Sequence, residues 1–397
     1  MPWKDLGPME QRLEFLRHVL AGHEAFAQTC RRYGVSRKTG YKWLQRYDQG
    51  GQQGLHDRSR APKHHPQAIT EEVAETLVEM RRRHPDWGPI TIVNALRRKG
   101  YSELPAPSTV GDLFKRRGLV KPRLRRPWRS AAAPPVADFT APNRCWCIDF
   151  KGQFQMNNRK WCYPLTVTDG CSRFLLCCDG KSGTAMAGAK KSMERCFAEF
   201  GLPDAILSDN GVPFSSAGAG GLSQLSVWWI KLGIRPMRIM PGKPQQNGRH
   251  ERMHGTLQRK VGDNPADSMP MQQRALDAFR MDYNNERPHR ALDGKTPSDV
   301  YQPSEKPFPH KLEAPSYPGH HELRSVRTDG SIKWRGHHLF LGDAFQGELV
   351  GLKEFADDRW LIRFGPVDIA VLDDRGPDPE ILRLPHQSSL GAQACPG

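Results

Sequence analysis

Three acidic residues stand in three different local contexts, and together they constrain the fold more than any other feature of the chain. Asp149 lies inside a short apolar run, Asp209 ends another, and Glu251 lies in a basic, polar segment typical of a helix start. A charge at the end of a buried strand is costly unless something compensates it. A divalent cation held by all three carboxylates would do so, so the pattern favours a fold in which two strand ends and a helix converge.

The charge of the chain is positive and unevenly distributed. Its 397 residues, enough for about two to four domains, include 59 Lys and Arg against 43 Asp and Glu, a net charge of +16. Residues 1–141 carry 26 Lys and Arg against 14 Asp and Glu, whereas the remaining 256 residues carry 33 against 29. A basic amino-terminal part is typical of a polyanion binder, so we favour nucleic acid as the partner over a merely basic, soluble surface.

The apolar segments and the cysteine spacing argue against two other classes of protein, membrane proteins and zinc-binding proteins. No run of about 18 apolar residues is present, so no membrane span or membrane partner is expected, and the amino terminus lacks an apolar signal core. We therefore expect a cytosolic protein. Seven of the nine cysteines fall between Cys145 and Cys196 and alternate with apolar residues, which is typical of small side chains in a buried sheet. Their spacing does not favour a zinc site.

The first 50 residues predict a helix-turn-helix. A helix bearing Ala27, Cys30 and Tyr33 on one face is followed by Gly34, which allows a sharp turn, and by Ser36, a good cap for a second helix. The second helix offers four side chains that we predict bind DNA phosphates or base edges: Arg37, Lys38, Tyr41 and Lys42. The alternative is a plain helical hairpin with a solvated basic face.

Residues 69–120 predict a second helical unit. Helices are expected from Glu71 to Arg83, from Pro89 to Arg98 and from Pro107 to Gly118, with Ser108 as the cap of the last and Gly118 as its stop. This unit is interpreted as a second, winged-helix-like helix-turn-helix.

From residue 143 the pattern changes to strands. Apolar runs predict three strands, a helix, a strand, a helix, a strand and then helices, which is a mixed α/β domain. Residues 322–373 return to alternating runs separated by the turn signals Thr328-Asp-Gly-Ser331 and Ala356-Asp-Asp-Arg359, and predict a small β-barrel or sandwich.

The predicted domain organisation has seven parts. They are a helix-turn-helix domain at 1–60, a second at 61–125, a linker at 126–142, an α/β core at 143–302, a linker at 303–321, a small β-barrel at 322–385 and a disordered tail at 386–397.

The three acids suit phosphodiester chemistry. Two divalent ions activate the nucleophile and stabilise the leaving oxygen in such reactions, and hard cations such as Mg²⁺ require oxygen ligands. Without metal, three clustered carboxylates repel one another. On the predicted Glu251 helix, Asn247 and His254 fall on roughly the same face as the acid. Four residues of this segment are predicted to contact DNA: Lys243, Asn247, Arg249 and Arg252.

Three motifs carry a family resemblance. They are Trp146-Cys-Ile-Asp149, Leu202-Pro-Asp-Ala-Ile-Leu-Ser-Asp-Asn-Gly-Val-Pro-Phe214 and Pro241-Gly-Lys-Pro-Gln-Gln-Asn-Gly-Arg-His-Glu-Arg252, and Tyr283-Asn-Asn-Glu-Arg-Pro-His-Arg-Ala-Leu292 with Thr296-Pro297 follows them. In this order they resemble the DDE core of retroviral-type integrases and insertion-sequence transposases. The resemblance covers about residues 143–302, and the flanking parts resemble the same proteins more loosely.

The resemblance implies a multidomain protein with amino-terminal helix-turn-helix units, an RNase H-like α/β core and a carboxy-terminal small β-barrel. It implies that Asp149, Asp209 and Glu251 form a catalytic triad that binds two Mg²⁺ or Mn²⁺ ions. The reaction would be cleavage at element ends by activated water, followed by attack of the freed 3′-hydroxyl on target DNA. It further implies a dimer or tetramer acting on double-stranded DNA in the prokaryotic cytoplasm, associated with the nucleoid when bound to DNA.

The spacing of the acids departs from that of the group in one respect, and three other titratable residues also have candidate roles. The 41 residues between Asp209 and Glu251 are a few more than is usual for the group, and the excess falls in the stretch 215–223, expected to be a flexible surface loop. Asp169 is favoured as a turn residue over an additional metal ligand. His250 and His254 are interpreted as exposed polar helix residues rather than proton shuttles or DNA contacts.

The sequence is also compatible with two other functions. The chain could be a DNA-binding regulator with an inert core, or a nuclease of the same fold that cuts DNA without joining it.

Overall fold

A computed structural model of the chain describes residues 7–57, 69–120 and 137–384. Most of the predicted linker at 126–142 and the whole predicted tail at 386–397 lie outside these residues. The chain divides into two compact units between residues 68 and 69, and each is described by itself.

The first unit contains the predicted helix-turn-helix. Its helices are α1 (Pro8–Ala21), α2 (Phe26–Arg32) and α3 (Arg37–Gly50), followed by a 3-10 turn at Gly51–Leu55. The Ser36 hydroxyl accepts a hydrogen bond from the Thr39 amide at 3.1 Å, so the predicted cap is present. A Cβ at Gly40 would lie 2.8 Å from Cys30 Sγ, so the close packing of α2 on α3 requires glycine there.

The second unit begins with three helices, α4 (Glu71–Arg83), α5 (Pro89–Arg98) and α6 (Pro107–Arg116). Their apolar faces bury Leu77, Trp87 and Val93 in one cluster. The prediction that Ser108 caps α6 is wrong, because Ala106 holds the cap position and Ser108 lies in the first turn. Pro107 at the first helical position has no amide hydrogen to satisfy, so the helix starts without a side-chain cap.

A mixed sheet forms the centre of this unit. Its strands are β1 (Trp146–Phe150), β2 (Phe154–Gln155), β3 (Trp161–Asp169), β4 (Leu175–Lys181), β5 (Ala205–Ser208) and β6 (Arg235–Arg238). β3 pairs antiparallel with β1 and β4, and β5 pairs parallel with β1 and β6. The short β2, which the apolar pattern of the sequence did not predict, pairs with the start of β3.

Four helices cover the sheet: α7 (Met186–Phe200), α8 (Gln224–Lys231), α9 (Gly248–Leu257) and α10 (Met269–Met281). Alternation along β3 separates two faces, because successive side chains of a strand point to opposite sides. Leu165 and Val167 pack with α7 and α8, whereas Thr166 and Thr168 contact α9 from the other side. The helix predicted from 244 to 260 is divided into a 3-10 turn at Pro244–Asn247, α9 and a π turn at Gln258–Gly262.

The carboxy-terminal strands form an open sheet and a hairpin. The strands are β7 (Glu322–Ser325), β8 (Ser331–Trp334), β9 (His337–Phe340), β10 (Leu349–Ala356), β11 (Arg359–Phe364), β12 (Val367–Asp373) and β13 (Glu380–Arg383). β7 and β10 to β13 pair in the order β13-β12-β11-β10-β7, and β8 pairs with β9. The predicted small barrel is therefore not confirmed as a closed one, because the hairpin packs on the sheet through a shared core without a ladder to either sheet edge in the described residues.

The stretch 215–223 is not the flexible loop that its composition predicted. Ala219 and Leu222 are buried in the core of the carboxy-terminal strands, and the Ala219 amide donates to the Leu341 carbonyl at 2.8 Å. The extra residues between Asp209 and Glu251 therefore join the α/β core to the strands that follow it. Polar, glycine-rich composition failed as a signal because two apolar residues, Ala219 and Leu222, suffice to pack the stretch on that core.

The proline-rich segment predicted as a linker at 303–321 also contacts the core. The Leu202 amide donates to the Lys306 carbonyl at 2.8 Å, and the Phe308 ring packs against Phe197 and Trp228. This part of the segment lies along α7 and α8. None of the helices in the described part of the chain is both long and apolar enough to cross a membrane.

Candidate active site

Asp149 and Asp209 lie at the carboxyl ends of neighbouring parallel strands. Trp146 of β1 pairs with Ile206 of β5, and Cys147 pairs with Leu207. Continued in the same register, this pairing sets Asp149 beside Asp209. The sequence prediction that these two strands adjoin is therefore confirmed.

Burial dominates the electrostatics of this edge, and repulsion by neighbouring acids adds to it at Asp149. Burial, the charge of Asp209 and the weaker influence of Glu251 raise the pKa of Asp149 to about 7, against a backbone hydrogen bond that lowers it. Burial likewise raises the pKa of Asp209, although its carboxylate accepts a hydrogen bond from the Gly211 amide at 3.1 Å. A Cβ at residue 211 would lie 3.1 Å from that carboxylate, which explains the glycine.

Glu251 lies in the first turn of α9 and is exposed. Its charge reaches Asp149 strongly enough to raise the pKa of that carboxyl. The three acids, which are separated by 59 and 41 residues in the sequence, therefore lie near one edge of the sheet, with Glu251 exposed and Asp149 and Asp209 partly buried.

Two histidines of α9 face the sheet rather than the solvent. The His250 ring, 1% exposed, has Nε2 at 2.7 Å from the Thr166 hydroxyl and Nδ1 at 2.9 Å from the Thr168 hydroxyl. His254 Nε2 lies 2.7 Å from the same Thr166 hydroxyl, and its Nδ1 lies 3.9 Å from Asp149 Oδ2. Burial lowers the pKa of His254 to about 3 and that of His250 well below its ordinary value.

The interpretation of these histidines as exposed is therefore wrong. A signal was available in the sequence, since His250 and His254 share the i, i+3, i+4, i+7 pattern with Met253 and Leu257, which are buried. The polar character of the segment concealed it.

The predicted DNA contacts of this segment divide into two groups. Lys243 and Arg252 are exposed, and Arg249 is half-buried, with its guanidinium 4.6 Å from the Phe139 ring centre and a hydrogen bond to the Gly170 carbonyl. Asn247 is only 4% exposed, so its predicted reach to DNA is not borne out by its position. Its Oδ1 is buried and has no hydrogen-bond partner in the described residues.

Arg173, which sequence reasoning missed, adds to this basic surface. It adopts a left-handed backbone conformation (φ 66°) in the turn between β3 and β4. Burial, with the charges of Arg249 and Arg252, lowers the pKa of Arg173, and its buried Nε has no hydrogen-bond partner among described residues. Neither composition nor spacing marks this arginine, because only the turn brings it beside α9.

The candidates in the first unit all lie on α3. Arg37, Lys38, Tyr41 and Lys42 are exposed there. The Tyr41 ring stacks on Phe26 at 4.2 Å between ring centres, and the Lys42 ammonium lies 5.0 Å from the centre of the Trp43 ring. Both contacts orient the side chains on one helix while leaving their polar ends in solvent.

Asp169 and the cysteines lie in surroundings that are consistent with structural roles. The Asp169 carboxylate accepts hydrogen bonds from the Ser172 amide, the Ser172 hydroxyl and the Asn143 amide at 2.6–2.8 Å, as expected of a turn residue. Six of the seven cysteines between 145 and 196 are buried in or beside the sheet. Within the described ranges, the side chains grouped closely enough to hold a metal ion are Asp149, His250 and His254, and no cysteine is among them.

Family models match four stretches of the chain. Two models described as integrase core domain match residues 140–244 and 232–297. A helix-turn-helix domain matches residues 11–63, and a homeodomain-like domain matches residues 39–114.

Known proteins with similar sequences include one from a bacterium and two from viruses. A 31.7 kDa protein of insertion element IS407 from Burkholderia multivorans is 26% identical over 59% of this chain and 82% of its own length. The Gag-Pol polyprotein of baboon endogenous virus is 33% identical over 32% of this chain, and the Pol polyprotein of a feline endogenous virus is 34% identical over 29%. The chain spans only 7% and 10% of those polyproteins.

Matches among solved structures include viral integrases. A chain of the simian T-cell lymphotropic virus intasome matches 77% of this chain and 95% of its own length, with 17% identity and a TM-score of 0.37. The HTLV-2 integrase catalytic core domain, solved in complex with magnesium, matches 42% of this chain and 100% of its own length, with 16% identity and a TM-score of 0.34. By its sequence matches, the chain contains an integrase core domain preceded by helix-turn-helix domains, and it is similar to a protein of a bacterial insertion element.

Proposed function

We propose that the chain is the DDE transposase of an insertion sequence, which binds the ends of its element, cleaves them and joins the 3′ ends to target DNA. The observation that carries the proposal is the adjacency of Asp149 and Asp209 at the ends of parallel strands, with Glu251 near enough for its charge to act on Asp149. The protein itself compensates the two aspartates poorly, because burial raises the pKa of both and no lysine or arginine pairs with either in the described residues.

The donor set fits divalent cations. Three carboxylates supply the oxygen ligands that Mg²⁺ and Mn²⁺ prefer, and we propose that the three acids hold two such ions. When bound, the ions activate water or a 3′-hydroxyl and stabilise the departing oxygen. Asp149 and Asp209 come from rigid strands, so the protein presents their oxygens with little cost of ordering.

We propose that basic side chains beside the acids hold the DNA backbone. Arg249, Arg252 and Arg173 form a cluster at the start of α9, and Lys243 lies exposed before it. The charges that act on Arg173 are other arginines and weakly acidic tyrosine and cysteine groups, with no carboxylate among them. Unpaired guanidiniums of this kind match phosphate oxygens.

Recognition of the element ends is proposed for the helical domains, at residues 1–60 and 61–125, with Arg37, Lys38, Tyr41 and Lys42 on the recognition helix. Two ends must be joined in one reaction, so we propose a dimer or tetramer working on double-stranded DNA in the prokaryotic cytoplasm.

The test is a strand-transfer assay with the full chain. Labelled duplexes carrying the two boundaries of the DNA element in which the gene lies are mixed with a target plasmid and Mg²⁺ or Mn²⁺. Joined products from the native chain and none from Asp209→Asn are expected. Cleaved but unjoined DNA would favour a nuclease, and binding without cleavage by either protein would favour an inert regulator.

A further inference from the structure

The hydrogen bonds around Thr166 constrain which nitrogen of each neighbouring histidine carries the hydrogen. The Thr166 hydroxyl lies 3.1 Å from the Asp149 carbonyl and 2.7 Å from Nε2 of both His250 and His254. A hydroxyl has one hydrogen to donate and two lone pairs that accept. The hydroxyl hydrogen can go to the carbonyl or to one of the two ring nitrogens. When the carbonyl, which can only accept, takes it, both histidine Nε2 atoms donate to the hydroxyl oxygen.

The consequence differs for the two rings. A neutral imidazole carries hydrogen on one nitrogen only, so Nδ1 of each ring has a free lone pair. In His250 that lone pair accepts from the Thr168 hydroxyl at 2.9 Å, and both nitrogens are used. In His254, with the same arrangement of hydrogens, the lone pair of Nδ1 faces Asp149 Oδ2 at 3.9 Å.

Two acceptors that face each other repel unless a cation lies between them. Metal bonds of about 2.1 Å to an imidazole nitrogen and to a carboxylate oxygen place the two ligand atoms about 3 to 4 Å apart, depending on the angle at the metal. The 3.9 Å separation of these two atoms lies within that range. A histidine that binds a metal usually donates its other ring hydrogen to a fixed acceptor, which orients the ring. The Thr166 hydroxyl is that acceptor for His254.

We propose that His254 binds a divalent cation of the active site through Nδ1, together with Asp149, so that the site has a mixed nitrogen and oxygen donor set. This inference rests on the proposed function, because it assumes that the acids bind metal. His250 is a positioning residue that helps to hold Thr166, and it has no free nitrogen to offer. Imidazole favours transition metals over Mg²⁺, so the site would prefer Mn²⁺ to Mg²⁺ more strongly than an all-carboxylate site.

The test reads the ligand atoms directly from Mn²⁺ bound to the full chain. Electron spin-echo envelope modulation detects nitrogen coordinated to Mn²⁺. We expect a ¹⁴N signal from the unlabelled protein and its replacement by a ¹⁵N signal when only histidine is labelled with ¹⁵N. This comparison needs no variant, so it does not depend on whether a substitution folds.

Variants then assign the nitrogen to one residue. His254→Gln should abolish the histidine signal and weaken Mn²⁺ binding roughly tenfold or more in titration calorimetry, while Mg²⁺ binding changes less. His289→Gln, a matched change of another buried histidine outside the cluster, should leave the signal intact.

The outcomes separate the two proposals. Mn²⁺ bound without a histidine signal would overturn the role of His254 and leave the three acids as the metal site. Failure of the native chain to bind Mn²⁺ would overturn both. A signal that persists in His254→Gln would also contradict the inference.

Discussion

Two regions of the same sheet contain buried acids, and the surroundings in these regions shift the pKa of the acids in opposite directions. At β4, the Asp179 carboxylate accepts hydrogen bonds from Ser192 and from Arg195, whose Nη2 lies 2.6 Å from both oxygens. Burial alone raises the pKa of Asp179, but these hydrogen bonds and the charge of Arg195 outweigh it and lower the pKa. At the ends of β1 and β5, burial raises the pKa of both Asp149 and Asp209 instead, and the charge of Asp209 raises that of Asp149 further.

The difference distinguishes a structural acid from a functional one. The charge of Asp179 is neutralised by side chains of the protein itself, so Asp179 neither needs nor binds an external ligand. Asp149 and Asp209 are held close together and left largely uncompensated, which destabilises the protein and, under the proposed function, favours a bound cation. Burial is common to both regions, so burial alone does not identify a site.

The largest expected effect is on DNA joining. Asp209→Asn should reduce strand transfer by about 10³-fold or more, because metal stabilisation of the transition state is worth several kcal/mol. The measurement is the initial rate of joining, with unfolding monitored in parallel to show that the variant is folded. Asp179→Asn is the matched control, with a rate within a few-fold of native. Equal losses in both would remove the distinction between the two regions.

The pH dependence of stability should have opposite signs in the two regions. Because the pKa of Asp149 is raised to about 7, its contribution to stability is fully present below the unfolded value near 4 and is lost as the pH rises through 7. In metal-free buffer, Asp149→Asn should therefore stabilise the protein at pH 8 relative to native, by an amount up to about 4 kcal/mol, and this gain should vanish near pH 4.

Urea unfolding at a series of pH values measures this effect. Added Mn²⁺ should raise the stability of the native chain at pH 8 and leave Asp149→Asn less affected. A gain from the substitution that is the same at pH 4 and pH 8 would show that Asp149 is not held in a destabilised, ionised state.

The structural acid should show the reverse behaviour at smaller size. Asp179→Asn should cost about 1–3 kcal/mol at pH 7, since a buried charged hydrogen bond is broken. Because the pKa of Asp179 is lowered, its contribution is present above the unfolded value and is lost as the pH falls through the folded value. The loss caused by the substitution should shrink as the pH falls below 4. A stabilising effect at pH 7 would contradict the assignment.

The smallest expected effect extends the comparison to arginines. Arg252 has no carboxylate partner in the described residues and lies in the basic cluster, whereas Arg195 is paired with Asp179. Arg252→Gln should lower DNA affinity several-fold and reduce the slope of log affinity against log salt by about 1. Arg195→Gln should leave the slope unchanged, as measured by fluorescence anisotropy with labelled duplex DNA. Equal slopes in all three proteins would argue against a phosphate contact at Arg252.

Much of the fold followed from local pattern. Apart from the short β2, the order of strands and helices from β1 to α10 was predictable, because apolar runs and turn residues mark these elements. The helix-turn-helix was predictable from Gly34 and Ser36. The closed barrel was not confirmed, since runs of alternating residues predict strands but not which edges pair. The cap at Ser108 was misassigned because Pro107 shifted the helix start by two residues.

The candidate site was also predictable in part, because local patterns place the acids at strand ends. The adjacency of Asp149 and Asp209 followed from the expected strand order, and the structure confirms that order. Asn247 and His254 were expected on one accessible face, but the structure buries Asn247 and turns His254 toward the sheet. Periodicity tells which residues of a helix share a face. It does not tell which face the sheet will cover when the surrounding residues are polar.

By itself the sequence determined the basic charge, the succession of elements and the placing of acids at strand ends, because these depend on residues close together in the chain. Only the tertiary structure decided that His254 Nδ1 faces Asp149, that Arg173 joins the arginines of α9, and that residues 215–223 dock on the carboxy-terminal strands. Each of these depends on contacts between residues far apart in sequence, whose energies come from packing and desolvation that no local pattern encodes.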